Sequence, residues 1–397
     1  MKKVLLTAIA LLTIASASVF GYYGANSDWI DFLVDANQLR FRVRQMGFVL
    51  GNDMIRGVVG VRDESETSFG AIFDSTTYAP NGTTKQFLNF IPTVSAGIGY
   101  TSDIFSIGVG YNYRYHHSTL RGVTKNGYGL SEHTPVLTMT AMNDSLRIAI
   151  PVQVAVKNGD IADSTDGYKY LGVSMDPQIR YYTGIEAFNE IRLYVKYGIN
   201  QTEAKGVADS KQKAESFGFD FRAYFGATVG DVALKPFLKV TYDTALGAKG
   251  KRVKMANIGS TGSADGNYEN TYGVKSSSAV IFVDAGAGAG YEHNPWALNI
   301  LPTLGMSANS DIVSIYVEAG LGYGAVDTGY KFNSANAANT GILHSMRWNA
   351  YGEIYINPVK DLQWYFEAEI GNGGGAFAKN TLQFNGATGI TWYLPAL

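Results

Sequence analysis

The 397 residues contain no cysteine, which excludes both a disulfide framework and a lipidated N-terminal cysteine. Proline is scarce, at 10, and beyond the first residues no apolar run approaches the ~20 residues that a membrane-spanning helix needs. The 32 bases and 34 acids nearly cancel. The chain therefore lacks the basic footprint of a nucleic-acid binder, and no nucleic-acid partner is expected. No shift in composition marks a linker, so one domain is expected. What the chain has in abundance is 46 glycines, 26 tyrosines and 20 phenylalanines.

The N-terminus reads as a secretory signal peptide over residues 1–21. Met1-Lys2-Lys3 is a basic start, Val4 to Ile14 an apolar core, and cleavage is expected after Ala17 or Gly21. Residues 22–397 then form the mature domain.

The aromatic and aliphatic residues are placed with a period of two. In "FSIGVGYNYRYH", Phe105, Ile107, Val109, Tyr111, Tyr113 and Tyr115 alternate with Ser106, Gly108, Gly110, Asn112, Arg114 and His116. That is a β-strand with unlike faces, twice the length of an average soluble strand. The pattern recurs. Leu39, Phe41 and Val43 alternate with Arg40, Arg42 and Arg44 on what reads as one strand, and Leu146 to Val156 alternate with Arg147 and Gln153. Ile191 to Tyr197, Phe217 to Phe221, Val232 to Tyr242, Leu362 to Ile370 and Ile390 to Leu394 repeat it.

The connections alternate between short and long. Turn residues cluster at 101–103, 143–145, 227–231, 309–311 and 357–361, whereas 117–132, 158–170, 201–215, 243–278 and 324–342 are long and polar. Ten-residue alternating strands with short turns on one side and long loops on the other are the signature of a transmembrane antiparallel β-barrel in the outer membrane. In lipid every backbone amide must pair within the sheet, so the sheet closes, the apolar face meets hydrocarbon and the polar face lines the lumen. Val109 and Val154 should face lipid, and Asn112 and Gln153, on the lumen side, should accept a charge. About 18 strands are expected, with 16 as the alternative count, the former drawing a strand from residues 251–258. Short turns should be periplasmic and long loops extracellular. One internal echo, Pro92 to Tyr111 against Pro302 to Tyr323, suggests a repeated hairpin.

The segments "DWIDFLVDANQLRFRVRQMGFVLGN" from Asp28, "HTPVLTMTAMNDSLRIAIPVQVAV" from His133, "PQIRYYTGIEAFNEIRLYVKYG" from Pro177 and "PFLKVTYDTALGAKGK" from Pro236 resemble the variable surface proteins of the spirochaete genus Brachyspira. The resemblance implies surface exposure, recognition by host antibodies, and assembly as a homo-oligomer or membrane complex. It brings no catalytic motif to carry over.

Nothing else in the sequence points to catalysis or a cofactor. Gly286 to Gly290 echoes a dinucleotide loop but follows no βαβ pattern, and Gly247 to Lys251 lacks P-loop spacing. The five histidines include no pair with zincin spacing, and adjacent His116 and His117 point to opposite faces. No enzyme activity, cofactor or metal is expected.

Parity places the charges. Arg40, Arg42, Arg44, Arg56, Arg62, Arg114, Arg147, Lys157, Arg180, Arg192, Lys196, Arg222, Lys235 and Lys239 point inward, against Asp74, Asp176, Asp220 and Asp243. Past Asp243 the balance reverses, with Asp284, Glu318, Glu353, Glu367 and Glu369 inward and Arg347 the one base assigned there. Pore-lining basic and acidic arcs follow, with a transverse field and mild anion preference; local pairing of these charges across strands is the competing reading. The expected role is a porin-like passive channel for small solutes and ions that is also a major surface antigen in contact with outer-membrane lipid. The alternative is a non-conducting antigen or adhesin anchored by the barrel, with an outer-membrane hydrolase third.

Overall fold

Residues whose side chains alternate between apolar and polar cannot bury both rows in one core, and here they solve the problem by closing on themselves. The computed structural model describes residues 29–43, 45–63, 92–117, 129–158, 168–204, 212–247, 249, 292–327, 329, 341–372 and 383–395. The signal-peptide span, Arg44, Asp74, Asp284, Gly286 to Gly290 and the extra strand expected at 251–258 lie outside these.

Eighteen strand segments run in chain order. The first seven are β1 (Gln38–Arg42), β2 (Gln45–Gly51), β3 (Ile55–Asp63), β4 (Pro92–Tyr100), β5 (Phe105–His117), β6 (Gly129–Ala141) and β7 (Leu146–Asn158). Then come β8 (Tyr168–Met175), β9 (Gln178–Ile185), β10 (Phe188–Ala204), β11 (Gln212–Tyr224), β12 (Ala227–Val229) and β13 (Val232–Leu246). The last are β14 (Trp296–Asn309), β15 (Val313–Asp327), β16 (Ile342–Val359), β17 (Leu362–Gly371) and β18 (Gln383–Tyr393).

Every pairing is antiparallel, and β1 pairs with both β2 and β18, so the sheet is closed. The ring has 16 staves, the alternative count, because two staves are each built from two segments. β8 and β9 share one, both lying between β7 and β10. Pro177 interrupts it, since proline has no N–H for the ladder, while its carbonyl still accepts from Val195 at 2.9 Å. β11 and β12 share the other, both paired to β13.

Short links at 52–54, 101–104, 142–145, 186–187, 230–231, 310–312 and 360–361 all lie at one rim. The first residues of β1 and the last of β18 sit there too, since Gln38 is opposite Tyr393. Connections at the other rim are long, except the tight one between β1 and β2. There Arg42 lies opposite Gln45, so the chain has turned by residue 43. The single strand expected from Leu39 to Arg44 therefore ends at Arg42.

The outer face is apolar, with Val109 56% exposed and Ile98, Leu321, Trp364 and Trp392 likewise exposed to surroundings that must be lipid. Polar pairs interrupt it: the Tyr111 hydroxyl lies 2.5 Å from His133 Nδ1, that of Tyr323 lies 2.5 Å from His344 Nδ1, and that of Tyr197 donates to Glu215 at 3.0 Å. The internal echo falls on the β4–β5 and β14–β15 hairpins. They are eight staves apart in a ring of 16, and so face each other across the barrel.

Candidate functional site

The lumen contains a segment of the chain itself. Because β1 begins at the short-turn rim, the residues before it enter from that end. Asn37 tethers them, donating through Nδ2 to the Gly51 and Pro395 carbonyls, both at 2.8 Å, while its own carbonyl accepts from Leu394 N at 2.8 Å. Upstream, the amides of Val34 and Asp35 both donate to the Asp31 carbonyl, at 3.0 and 3.1 Å. This single turn puts Trp29, Phe32 and Leu33 on one side, the spacing of helical neighbours. The Trp29 and Phe32 rings meet edge to face, 5.6 Å apart. Trp29, Ile30, Phe32 and Leu33 are at most 3% exposed and cluster with Val49, Val58, Val136 and Ala149. Burying each large apolar side chain contributes about 1.5–3 kcal/mol, so a hydrophobic core sits where polar side chains were expected to meet water.

The wall beneath it is stripped of side chains. Gly97 and Gly99 on β4 lie opposite Gly110 and Gly108 on β5, a block of four facing inward. A Cβ on Gly97 would stand 2.6 and 2.7 Å from Trp29 Cζ3 and Cη2, and one on Gly108 3.0 and 3.1 Å from Leu33 Cδ2 and Phe32 Cε1. Real Cβ atoms essentially never approach as closely as at Gly97, and at Gly108 the neighbours would have to give by a few tenths of an ångström, so glycine best admits the segment here. Just beyond the block, Trp29 Nε1 donates to Asn112 Oδ1 at 3.2 Å.

Charge completes the seat. Asp31 Oδ1 accepts from Arg147 Nη1 and Asp31 Oδ2 from Arg180 Nη1, each at 2.7 Å. Burial alone would push this carboxyl up, but Arg180 and then Arg147 outweigh it and hold it below the usual carboxylate range. A carboxylate bridging two guanidiniums is charge-assisted at both oxygens. Removing it would leave two cations facing each other.

Most of the other inward bases among the described residues have an acidic, amide or aromatic neighbour, whereas Arg56 Nε and Nη1 are buried without a hydrogen-bond partner. Arg40 donates through Nε to Gln38 at 2.7 Å and lies 3.6 Å from Asp35; Arg42 stacks on Tyr365, 4.3 Å from the ring centre. Arg114 lies 3.7 Å from Glu132, Arg192 2.5 Å from Glu190, and Lys196 3.9 Å from Asp243. Arg222 and Lys239 share Asp220, at 2.8 and 3.7 Å, and Lys235 lies over Tyr316 at 5.9 Å. Carboxylates of the wall and of the N-terminal segment therefore sit beside Arg40, Arg114, Arg192, Lys196, Arg222 and Lys239. Parity reasoning missed the acids Glu132 and Glu190, though Glu190 lies two residues before Arg192 on the same face, and missed Asp31 and Asp35 because they precede the first strand.

The acidic side of the lumen, on β15 to β17, is lined by tyrosine and carboxylate. Tyr316 donates to Glu318 at 2.7 Å, and Asn349 Nδ2 to Glu318 at 3.4 Å. Glu353 and Glu367 are cross-strand partners, and the Tyr351 hydroxyl bonds to both, at 3.0 Å for Glu367. Glu369 continues the row opposite Tyr351, and Arg347 donates to Asn299 at 3.0 Å. Among the described residues no group of three or more His, Asp or Glu is arranged to hold a metal ion.

A family model described as Serpulina hyodysenteriae variable surface protein matches residues 2–393. No curated protein matches the chain. Among solved structures, the FrpB iron transporter of Neisseria meningitidis aligns with a TM-score of 0.41 at 9% identity, over 87% of this chain and 47% of its own. This chain therefore spans about half of that protein's length. OmpT of Vibrio cholerae aligns at 0.34 and 10% identity over 91% of this chain and 98% of its own, and the β domain of the Bordetella autotransporter BrkA at 0.32 and 10% over 91% and 100%.

Proposed function

This outer-membrane β-barrel belongs to the Serpulina hyodysenteriae variable surface protein family, and from that premise we propose that it is a porin-like passive channel for small solutes whose long-loop rim is a surface antigen. The observation that carries the channel reading is the closed ring of 16 staves, whose inward face carries polar and charged side chains outside the patch that the N-terminal segment covers. Barrels of that size enclose an aqueous path. The tyrosine and carboxylate strip on β15 to β17 gives that path a wall of hydrogen-bonding groups on the side away from the N-terminal segment. The long connections share the rim that the short periplasmic turns leave to the cell exterior, and such loops are where antibody contacts fall. For the hydrolase reading the described histidines offer one carboxylate pair, His293 with Asp327 at 2.8 Å, whereas His133 and His344 are paired with tyrosines on the lipid face.

The second reading, a non-conducting antigen held by its barrel, draws on the apolar cluster inside the lumen. Reconstitution of the full chain in planar bilayers separates the two. Stepwise current from heat-modifiable, folded protein is expected; a folded barrel that passes no current under any condition would leave the anchor reading in place.

A further inference from the structure

We propose that residues 29–35 are a releasable plug that narrows the channel, seated in the glycine block of the β4–β5 hairpin, latched by Asp31 and hinged at Asn37. The proposal rests on the channel reading and adds its regulation. Three independent features converge on one seat. The wall is cut away to the shape of the occupant, because Gly97, Gly99, Gly108 and Gly110 each leave room that Trp29, Phe32 or Leu33 fills. The electrostatics are complementary, because Asp31 bridges Arg147 and Arg180 from neighbouring staves. The backbone attachment is local, because Asn37 is fixed to Gly51 at the end of β2 and to Pro395 beyond β18, while no strand pairing holds residues 29–36. Residues 29–35, held to the wall by side chains and not by the sheet ladder, can leave their seat without opening the barrel. They would withdraw toward the short-turn rim from which they enter.

The test uses the full chain with a reporter cysteine, Ile30→Cys, which is unique because the protein has no other cysteine. Ile30 is buried in the seat, so a water-soluble maleimide should label it slowly in the parent. Asp31→Arg, which sets a third cation against Arg147 and Arg180, and Gly110→Val, which fills the block, are each combined with it. Retained heat-modifiability shows that each variant is folded. Both should label at least tenfold faster, and both should show a unit conductance at least twice that of the parent. Unchanged labelling in both variants would overturn the proposal whatever the current. Faster labelling with parental conductance would also overturn it while leaving the channel reading intact. Faster labelling with no current from parent or variants would overturn both.

Discussion

Replacing Gly110 by alanine adds one methyl group, and its consequence can be worked out from the position of one ring. The new Cβ would lie 2.7 Å from Trp29 Cε3, with two further ring carbons nearer still. Ordinary contact begins near 3.4 Å, so the indole must move by more than half an ångström, and Phe32 packed on its edge and the bond to Asn112 leave it nowhere to go. Overpacking of this kind costs about 1–3 kcal/mol, which at tenfold per 1.4 kcal/mol lowers the ratio of seated to released segment by about 5- to 150-fold. In a Trp29→Ala background the obstacle is gone. The methyl should then be neutral, or stabilising by about 0.5–1 kcal/mol, since alanine in a strand loses less chain entropy than glycine. The assay is a double-mutant cycle read by maleimide labelling of Ile30→Cys, with urea unfolding of the barrel as the control. A Gly110→Ala effect of equal size in both backgrounds would refute the idea that the glycine block exists to seat Trp29.

Val109→Arg should lower folding yield, because arginine on the lipid face costs about 2–4 kcal/mol near the midplane; yields equal to the parent would show that the two faces are reversed. Asn112→Arg is expected to expel the N-terminal segment, since Asn112 is 0% exposed and accepts from Trp29; fast labelling of Ile30→Cys is the readout. The Asp31 carboxyl is held below its ordinary value of 3.8, so its contribution is complete above that pH and is lost only as pH falls through the lower, seated value. Release of the segment, read as exposure of residue 30 and not as current, should accordingly be flat from about pH 8 to pH 5 and rise only in stronger acid, and a release centred near pH 6 would contradict the latch. Glu353→Gln with Glu367→Gln should move the reversal potential in a salt gradient toward anion preference, and an unchanged potential would take the strip out of the conduction path. Protease added to intact cells should cut between residues 247 and 295 or 328 and 341 before the 310–312 turn.

The wall of the barrel was legible because lipid enforces a simple rule. Each strand must present apolar side chains outward at every second residue, so parity alone puts Val109 and Asn112 on opposite faces. Turn chemistry located both rims for the same reason. The contents of the lumen follow no such rule. The expectation that Asn112 and Gln153 accept charge assumed water around them, whereas they are 0% and 2% exposed, Asn112 because Trp29 of the chain's own segment is bonded to it. The signal was present in Trp29, Phe32 and Leu33, spaced as helical neighbours, and in the four glycines spaced by two along β4 and β5. Neither half means anything without the other, and their partnership is a contact across 60 or more residues of chain. Arg40, Arg42 and Arg44 misled in a different way, since alternation continues through the turn at residue 43 and hides it.

The β4–β5 and β14–β15 hairpins face each other half a circle apart, and that arrangement bears on stoichiometry. Both offer inward glycines: the first pair of strands at 97, 99, 108 and 110, the second at 305, 320, 322 and 324. The second set is furnished by the barrel itself. Tyr316 reaches over Gly305, Thr303 and Asn349 over Gly320, and Arg347 over Gly324. A wall that repeats through a half turn would otherwise give the single N-terminus two equivalent berths, and a population of molecules split between left and right. Side chains already in residence on one half break that degeneracy, so every copy of the protein holds its one leading segment on the same side.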